Sequence, residues 1–237
     1  MNLQNWIHDR SRDLAYLKAS RGFRTRLKEV EALERAADDA RGSQRPVPKE
    51  PDLPPFPAEY DRDMVLPDAW VCMPEAPFSW SFNVQKCLTR LGGWIGNWTD
   101  PESGESAAMS LQNAAFLRGV NPRLLIASLQ REKGLIRRKD APPKKDLDWA
   151  AGVGAYDGRP WDKNFMGFGR QVRAMAKTYR NRFGEWAGPD APIRVNFFPM
   201  RREATPRNAG TWSLLRYTPH DSASLLTWKI MRFFYGG

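Results

Sequence analysis

Cysteine and histidine are scarce, with two of each among 237 residues. Cys72 and Cys87 are too few for a disulfide framework, although they leave one bridge open. His8 and His220 are too few for a zinc site that uses several imidazoles. The composition therefore argues against a metal-dependent hydrolase and predicts no metal site and no cofactor.

Long apolar segments are also missing. A membrane-spanning helix needs about 18 consecutive apolar residues, and the most apolar segment is interrupted by Lys229 and Arg232. The first turns of the chain carry charged residues instead of the apolar core of a secretory leader. The sequence predicts neither a membrane span nor a signal peptide.

Basic residues are in excess, because 37 Lys and Arg stand against 27 Asp and Glu, and the formal net charge is +10. Such a chain favours anionic partners such as nucleic acid, anionic lipid or the acidic polymers of a bacterial envelope. Charge alone does not choose among them. No nucleic-acid recognition motif accompanies the basic residues, so specific nucleic-acid binding is not expected.

The chain divides into three consecutive segments. Residues 1–42 predict a helical arm with apolar positions on one side, which either packs on its own domain or attaches the chain to another subunit. Recurrent prolines in residues 43–67 predict a Pro-rich linker or a strap along the surface. Residues 68–237 predict a mainly helical domain, with further helices at 82–91, 106–118 and 222–235, one ending at Arg180, and a short strand at 193–199. We expect helix 106–118 to pack on the helix that follows it, and helix 222–235, apolar nearly all round, to be central to the core.

The segment from Asn121 to Ile136 predicts the helix on which the functional interpretation depends. Asn121 is a good N-cap, and Pro122 suits the first helical position because its φ is already helical. Gly134 is typical of a helix that ends in the left-handed conformation. We expect the helix to begin after Asn121 and to end near Gly134.

Glu132 has an unusual position in this helix. At about 100° per residue it falls within an apolar stripe, whereas Arg131 is expected on the solvated face. The stripe consists of Leu125, Leu129 and Ile136. Burial and the negative end of the helix dipole both disfavour an ionised carboxyl group, so the pattern predicts a proton donor suited to general acid catalysis. The alternative is a partly buried glutamate paired with a nearby arginine.

Four ordered blocks support the catalytic interpretation. They are NPRLLIASLQREKGLI, AAGVGAYDGRPWDKNFMGFGRQVRAMAKTYR, TWSLLRYTPH and LLTWKIMRFFYG, within roughly residues 106–237. Together they resemble a lysozyme-like family of bacterial and phage cell-wall glycosidases, part of the lysozyme and lytic transglycosylase superfamily. The resemblance implies a lysozyme-like α(+β) domain in which Glu132 looks like the catalytic acid.

The resemblance also implies residues that bind the glycan. The segment that contains Phe168 and Gln171 is similar to the Gly-x-x-Gln segment that lines the family's cleft, and Tyr217 looks like the tyrosine that faces the glutamate. Gln171 has the alternative role of capping a loop. Tyr156 and Trp161 are candidate platforms for sugars, whose flat apolar faces pack on aromatic rings. The glycine-rich residues around them predict an irregular cleft wall or a short hairpin.

The expected reaction is cleavage of the β-1,4 bond between N-acetylmuramic acid and N-acetylglucosamine, with Glu132 protonating the bridging oxygen. Hydrolysis needs a second carboxylate, roughly 5 Å away for retention or roughly 6.5–9.5 Å away for inversion. The candidates are Asp146, Asp148, Asp157 and Asp162. Without one, Glu132 acts as acid and then as base while the 6-hydroxyl of the substrate attacks, which is the lytic transglycosylase route implied by the superfamily.

The implied partners are peptidoglycan glycan strands and, if the arm attaches to another subunit, a virion or tail protein. Without a leader, we expect delivery by a virion or release from the cytoplasm, with action in the periplasm or cell wall. The basic run from Arg131 to Lys145 is either a solvated surface or a collector of anionic glycan. Two rival classes stay open: a virion structural or anchoring protein whose lysozyme-like domain has lost activity, and a cysteine peptidase that uses Cys87 and His220.

Overall fold

A computed structural model describes residues 53–72, 82–156, 158, 160–190, 192–197 and 200–236. All of them belong to a compact unit that begins at Glu50. The predicted arm at residues 1–42 and the first part of the predicted linker lie outside the described residues.

The described part of the chain is mainly helical, as the sequence predicts. Its helices are α1 Val84–Leu91, α2 Ala107–Arg118, α3 Pro122–Lys133, α4 Lys144–Asp148, α5 Phe168–Gly184, α6 Ala209–Tyr217 and α7 Asp221–Tyr235. Short 3-10 helices occupy Arg62–Met64, Asp68–Trp70, Trp94–Asn97 and Lys163–Phe165. Between α5 and α6, strand β1 Ile193–Phe197 pairs antiparallel with strand β2 Met200–Ala204. The predicted strand is thus confirmed, and its partner β2 was not predicted.

Helices α1, α2 and α3 each begin at a side-chain cap and end at a glycine with positive φ. The caps are Asn83, Ser106 and Asn121, and the glycines are Gly92, Gly119 and Gly134. The Asn121 side chain accepts a hydrogen bond from the Arg123 backbone, and Pro122 occupies the first turn. The predicted start and end of α3 are therefore confirmed.

The core forms where the long helices pack together. Helix α5 packs against α2 and α6, while α3 packs against α2 and α7, so the predicted contact between α2 and α3 is confirmed. The residues of α5 that were predicted to face the core are buried: Val172, Met175, Ala176 and Tyr179. This arrangement places the C-terminal end of α3, with Glu132, beside the last helix.

Helix α7 belongs to the core, as predicted, although one stripe of its apolar residues stays at the surface. Trp228, Met231 and Phe234 are buried, whereas Leu226 is exposed and Phe233 is 67% exposed. The seven-residue spacing of Leu226 and Phe233 puts them on the same side of the helix. Arg137 covers part of this stripe, with its guanidinium carbon 4.9 Å from the centre of the Phe233 ring.

The described part of the Pro-rich segment packs on the helices. Val65 and Leu66 are fully buried in the core. The Trp70 indole donates a hydrogen bond of 2.8 Å to the Pro54 carbonyl, and the Phe56 ring meets Trp70 edge to face at 5.1 Å. In this part, the segment is a strap that belongs to the domain.

Both cysteines are free and buried. Cys87 lies in α1, and its sulfur is 3.9 Å from the Tyr235 hydroxyl. The single disulfide that the sequence left open is therefore not formed. Within the described residues, no helix has the length and apolar character that crossing a bilayer requires.

Candidate functional site

Glu132 lies in the last turn of α3, and its side chain is 26% exposed. Its Oε1 accepts a hydrogen bond of 3.2 Å from Arg131 Nε and a second from Arg131 Nη2. No donor among the described residues is bonded to Oε2. That oxygen faces Gly152, since a methyl group placed on Gly152 would lie 3.7 Å from it. One carboxylate oxygen is thus held by Arg131, and the other has no hydrogen-bond donor among the described residues.

Arg131 is buried, with 4% of its side chain exposed, so its predicted place on the solvated face is wrong. The side chain reaches α7, where its Nη1 donates a hydrogen bond of 2.9 Å to Thr227. Burial lowers the pKa of the guanidinium, but neighbouring Tyr179, Glu132 and Tyr217 raise the pKa above its ordinary value. Arg131 therefore stays charged and forms an ion pair with the Glu132 carboxylate.

Tyr217 lies next to this ion pair. The Arg131 guanidinium carbon is 5.4 Å from the centre of the Tyr217 ring, which stacks on Tyr179 with ring centres 4.4 Å apart. Burial most strongly, then Tyr179 and Glu132, raise the pKa of Tyr217 well above its ordinary value. Its neutral hydroxyl donates a hydrogen bond of 2.9 Å to the Ala151 carbonyl. Tyr217 thus lies near Glu132, as the resemblance implied, and its hydroxyl holds the chain just before Gly152.

Gln171 is fully buried, and all four of its hydrogen-bonding positions are used by the main chain. Its Oε1 accepts from the Ala151 and Val153 amides at 3.1 Å each, and its Nε2 donates to the Val153 and Phe165 carbonyls at 2.8 Å each. These bonds fix residues 151–154, the glycine loop, which has no regular secondary structure. The structure therefore gives Gln171 the alternative role of holding a loop, and leaves it no free group for the predicted glycan contact.

Phe168 is a core residue, which contradicts its predicted role in the cleft. Only 2% of the residue is exposed, and its ring meets Trp98 edge to face with centres 5.2 Å apart. It is the first residue of α5. A ring enclosed in this way offers no face to a sugar.

Tyr156 and Trp161 remain at the surface. Tyr156 is 42% exposed, and Trp161 is partly exposed. The Asp162 amide donates a hydrogen bond of 3.0 Å to the Gly154 carbonyl, which ties the chain next to Trp161 to the glycine loop. Both predicted platforms are therefore accessible, and the main chain beside Trp161 is fixed to the loop that faces Glu132.

The described candidates for a second carboxylate already bond other groups. Asp146 and Asp148 form ion pairs of 3.1 and 2.9 Å with basic residues, and Asp162 accepts a hydrogen bond from a backbone amide in the short helix that follows it. Asp157 lies outside the described residues. Nor do the described residues include a cluster of three or more His, Cys, Asp or Glu able to hold a metal ion.

No family model, no curated protein and no solved structure matches this chain. The resemblance to the lysozyme-like family therefore rests on the four sequence blocks. The functional interpretation depends on those blocks and on the residues around Glu132.

The cysteine peptidase alternative finds no support in the described residues. A catalytic thiol needs an imidazole within hydrogen-bond reach. Cys87 is buried, and its sulfur lies beside the Tyr235 hydroxyl, whereas His220 is exposed at the start of α7. The described residues thus pair Cys87 with a phenol and not with an imidazole.

Three residues near Glu132 were not recognised as site residues from the sequence: Arg131, Gly152 and Thr227. Arg131 was visible as a charged neighbour of Glu132, but its helical position suggested solvent. In the sequence, Gly152 is only one member of a glycine-rich segment. Nothing in the sequence pointed to Thr227, because it reaches the site through the packing of α7 on α3.

Four tyrosines, one buried and three partly buried, predict that stability falls at alkaline pH. Burial is the largest cause that raises the pKa of Tyr60, Tyr179, Tyr217 and Tyr235. Above pH of about 10, the unfolded chain loses protons that the folded chain keeps, so the free energy of unfolding falls by up to about 1.4 kcal/mol per pH unit for each tyrosine. Below that pH this contribution is fully present. Urea unfolding at several pH values from about 8 to about 11.5, around the pH at which tyrosine titrates, measures this loss of stability.

Tyr217→Phe makes this prediction specific. Removing this partly buried phenol is expected to make the alkaline decline shallower, and to cost about 1 kcal/mol at neutral pH through the lost hydrogen bond to Ala151. Tyr156→Phe is the matched control, because this ring is exposed, and we expect it to leave the decline unchanged. An equal decline in Tyr217→Phe and in the unaltered protein would contradict the prediction.

Proposed function

We propose that the chain cleaves the β-1,4 bond between N-acetylmuramic acid and N-acetylglucosamine in peptidoglycan, with Glu132 as the general acid. The observation that carries the proposal is the Glu132 carboxylate at the end of α3, of which one oxygen is hydrogen-bonded to Arg131. Arg131 holds Oε1, while Oε2 lies toward the glycine loop and has no donor among the described residues. An acid whose reactive oxygen has a fixed direction is what proton transfer to a glycosidic oxygen requires.

Arg131 contributes to this chemistry through its charge. When protonated Oε2 gives its proton to the bridging oxygen, the carboxylate that forms is stabilised by the buried guanidinium on Oε1. An interaction lowers the barrier when it is stronger in the transition state than in the ground state. The contact between the Arg131 guanidinium and Oε1 would meet this condition, because the carboxylate gains negative charge as the proton leaves.

The superfamily resemblance includes a route with a single carboxylate, in which Glu132 acts first as acid and then as base. In that route, the 6-hydroxyl oxygen of N-acetylmuramic acid attacks C1 as the bond to the bridging oxygen breaks. The ionised Glu132 accepts the hydroxyl proton, which returns it to the acid form. The products are a 1,6-anhydro-muramic end and a new free 4-hydroxyl, and no water is consumed. Tyr217 and Gln171 act through the glycine loop, which they hold in place.

Digestion of purified peptidoglycan with the full chain, followed by mass spectrometry of the soluble products, tests the proposal. We expect anhydro-muramic ends, which are lighter than reducing muramic ends by one water. A matched preparation of Glu132→Gln excludes activity from a contaminating enzyme. Reducing ends would replace the transglycosylase route by hydrolysis, with Asp157 as the first candidate for the second carboxylate. No product from folded protein would overturn the proposal.

The second candidate function is a non-catalytic virion structural or anchoring protein with a lysozyme-like domain. It is favoured by the use of Gln171 and Phe168 in packing and by the ion pair that Glu132 makes with Arg131. The two candidates share the proposed partners, which are glycan strands and, through the arm, a virion or tail subunit. They also share delivery by a virion or by release from the cytoplasm. Sedimentation of the chain with peptidoglycan, without any soluble product, would support this second function.

A further inference from the structure

Lys145 lies over the ring of Trp161, with its Nζ 4.7 Å from the ring centre. The Lys145 residue is exposed, and no carboxylate among the described residues forms an ion pair with it. The preceding residue, Lys144, differs in this respect, because its Nζ pairs with Asp148 at 2.9 Å and with Glu102 at 3.3 Å. Adjacent lysines therefore have different roles, and the ammonium on the tryptophan is the one available to a ligand.

Trp161 is attached to the proposed active site from two sides. Its ring meets Trp149 edge to face with centres 5.0 Å apart, and Trp149 leads directly into the glycine loop. On the other side, the Asp162 amide bonds to the Gly154 carbonyl. A sugar that stacks on Trp161 would lie beside the loop that faces Glu132.

We propose that Trp161 and Lys145 form a subsite for a sugar that carries a carboxylate, an inference that rests on the proposed function. The sugar replaces the Lys145 ammonium on the accessible part of the indole ring. A cation–π contact at an exposed site is weak, and a flexible lysine leaves it at small cost. The displaced ammonium then pairs with a carboxylate at the edge of the sugar.

The two sugars of peptidoglycan differ in whether they carry the carboxylate that this subsite would bind. N-acetylmuramic acid carries a lactyl group, whose carboxylate is free where no peptide is attached. Where a peptide stem is attached, the lactyl carboxyl is an amide, and the carboxylates lie on the stem instead. N-acetylglucosamine carries neither a lactyl group nor a peptide stem. The subsite would therefore separate peptidoglycan from a neutral polymer of N-acetylglucosamine.

Binding is measured with full-length Glu132→Gln, so that no ligand is consumed. Calorimetry compares three tetrasaccharides: one of N-acetylglucosamine alone, one alternating with N-acetylmuramic acid that has free lactyl groups, and the same glycan with peptide stems. We expect a carboxylate-bearing ligand to bind about two- to fivefold more tightly than the neutral one. The better ligand of the two acidic ones identifies the source of the carboxylate.

Two lysine variants decide whether Lys145 causes the preference. We expect the preference to be lost in Lys145→Met and kept in Lys144→Met, and we expect Trp161→Ala to weaken all three ligands. Equal affinities, a preference that survives Lys145→Met, or no binding at all would overturn the subsite. If the protein prefers the carboxylate-bearing ligands but the unaltered chain does not cleave peptidoglycan, only the proposed function is overturned. If the unaltered chain cleaves peptidoglycan but the protein shows no such preference, only the subsite is overturned.

Discussion

Glu132→Gln is expected to lower the rate of peptidoglycan cleavage by about 10²–10⁴-fold, the usual contribution of a general acid. Glutamine has the same size as glutamate, and its amide oxygen can still accept the hydrogen bonds from Arg131. The group that faces Gly152 would then be an amide, whose N–H groups are too weakly acidic to protonate the bridging oxygen. The release of soluble glycan fragments over time, measured at several substrate concentrations, gives the loss in rate.

The control for this variant must separate lost chemistry from lost folding. Breaking a fully buried ion pair costs about 3–5 kcal/mol. Glu132 is 26% exposed, and glutamine keeps the hydrogen bonds, so we expect a smaller loss, which thermal unfolding measures. Glu102→Gln is the matched variant, because Glu102 is exposed and, within the described part of the chain, forms an ion pair with Lys144 alone; it should keep full activity. If folded Glu132→Gln cleaves as fast as Glu102→Gln does, Glu132 is not the acid.

The parts of the fold that the sequence predicts well are those decided by neighbouring residues. The start of α3 at Asn121 and its end at Gly134 depend on a side-chain cap and on a left-handed glycine. Both act within one turn of the chain. For the same reason, the caps and glycines that bound α1 and α2 agree with the predicted helices.

The parts that the sequence misplaces depend on partners far along the chain. Phe168 was assigned to the cleft because of its place in a family segment, but Trp98 encloses its ring in the core. Gln171 has a polar side chain that suits a sugar equally well, and only the approach of the glycine loop shows that its bonds are used. Sequence alone does not give either contact.

Arg131 shows a different limit of pattern analysis. A helical projection gives the direction of a residue from the axis, whereas an arginine side chain is long enough to turn back and bury its charge. Its partner Thr227 belongs to α7, near the end of the chain. The same limit applies to α7, where apolar residues all round suggested a central helix although Phe233 is exposed. Composition gives the number of apolar residues but not which face the neighbouring helix covers.

Gly93→Ala is expected to destabilise the domain by at least about 3 kcal/mol, which places it among the most damaging single substitutions. A methyl group on Gly93 would lie 1.9 Å from the Ile136 carbonyl oxygen and 2.7 Å from its carbon. Both are backbone atoms, so no change of side-chain rotamer relieves the contact. Urea or thermal unfolding of purified protein measures the loss.

The backbone on the other side of this contact has little freedom to move. The amides of Ile136 and Arg137 donate hydrogen bonds of 3.1 and 3.0 Å to the Gln130 side chain. The amide of Trp94, next to Gly93, donates a bond of 2.7 Å to the Arg138 carbonyl. Relief of the clash would therefore break bonds that position the chain just after Glu132, and we expect cleavage activity to fall together with stability.

Gly184→Ala is the matched control for Gly93→Ala. Gly184 is the last residue of α5, and a methyl group there would meet no atom within 4 Å. Since alanine favours a helix more than glycine does, we expect a change between zero and about 1 kcal/mol of added stability. If Gly93→Ala were as stable as Gly184→Ala, the segment after α1 would not press against the segment after α3. The segment that Gln130 of α3 holds through the Ile136 and Arg137 amides would then lie elsewhere.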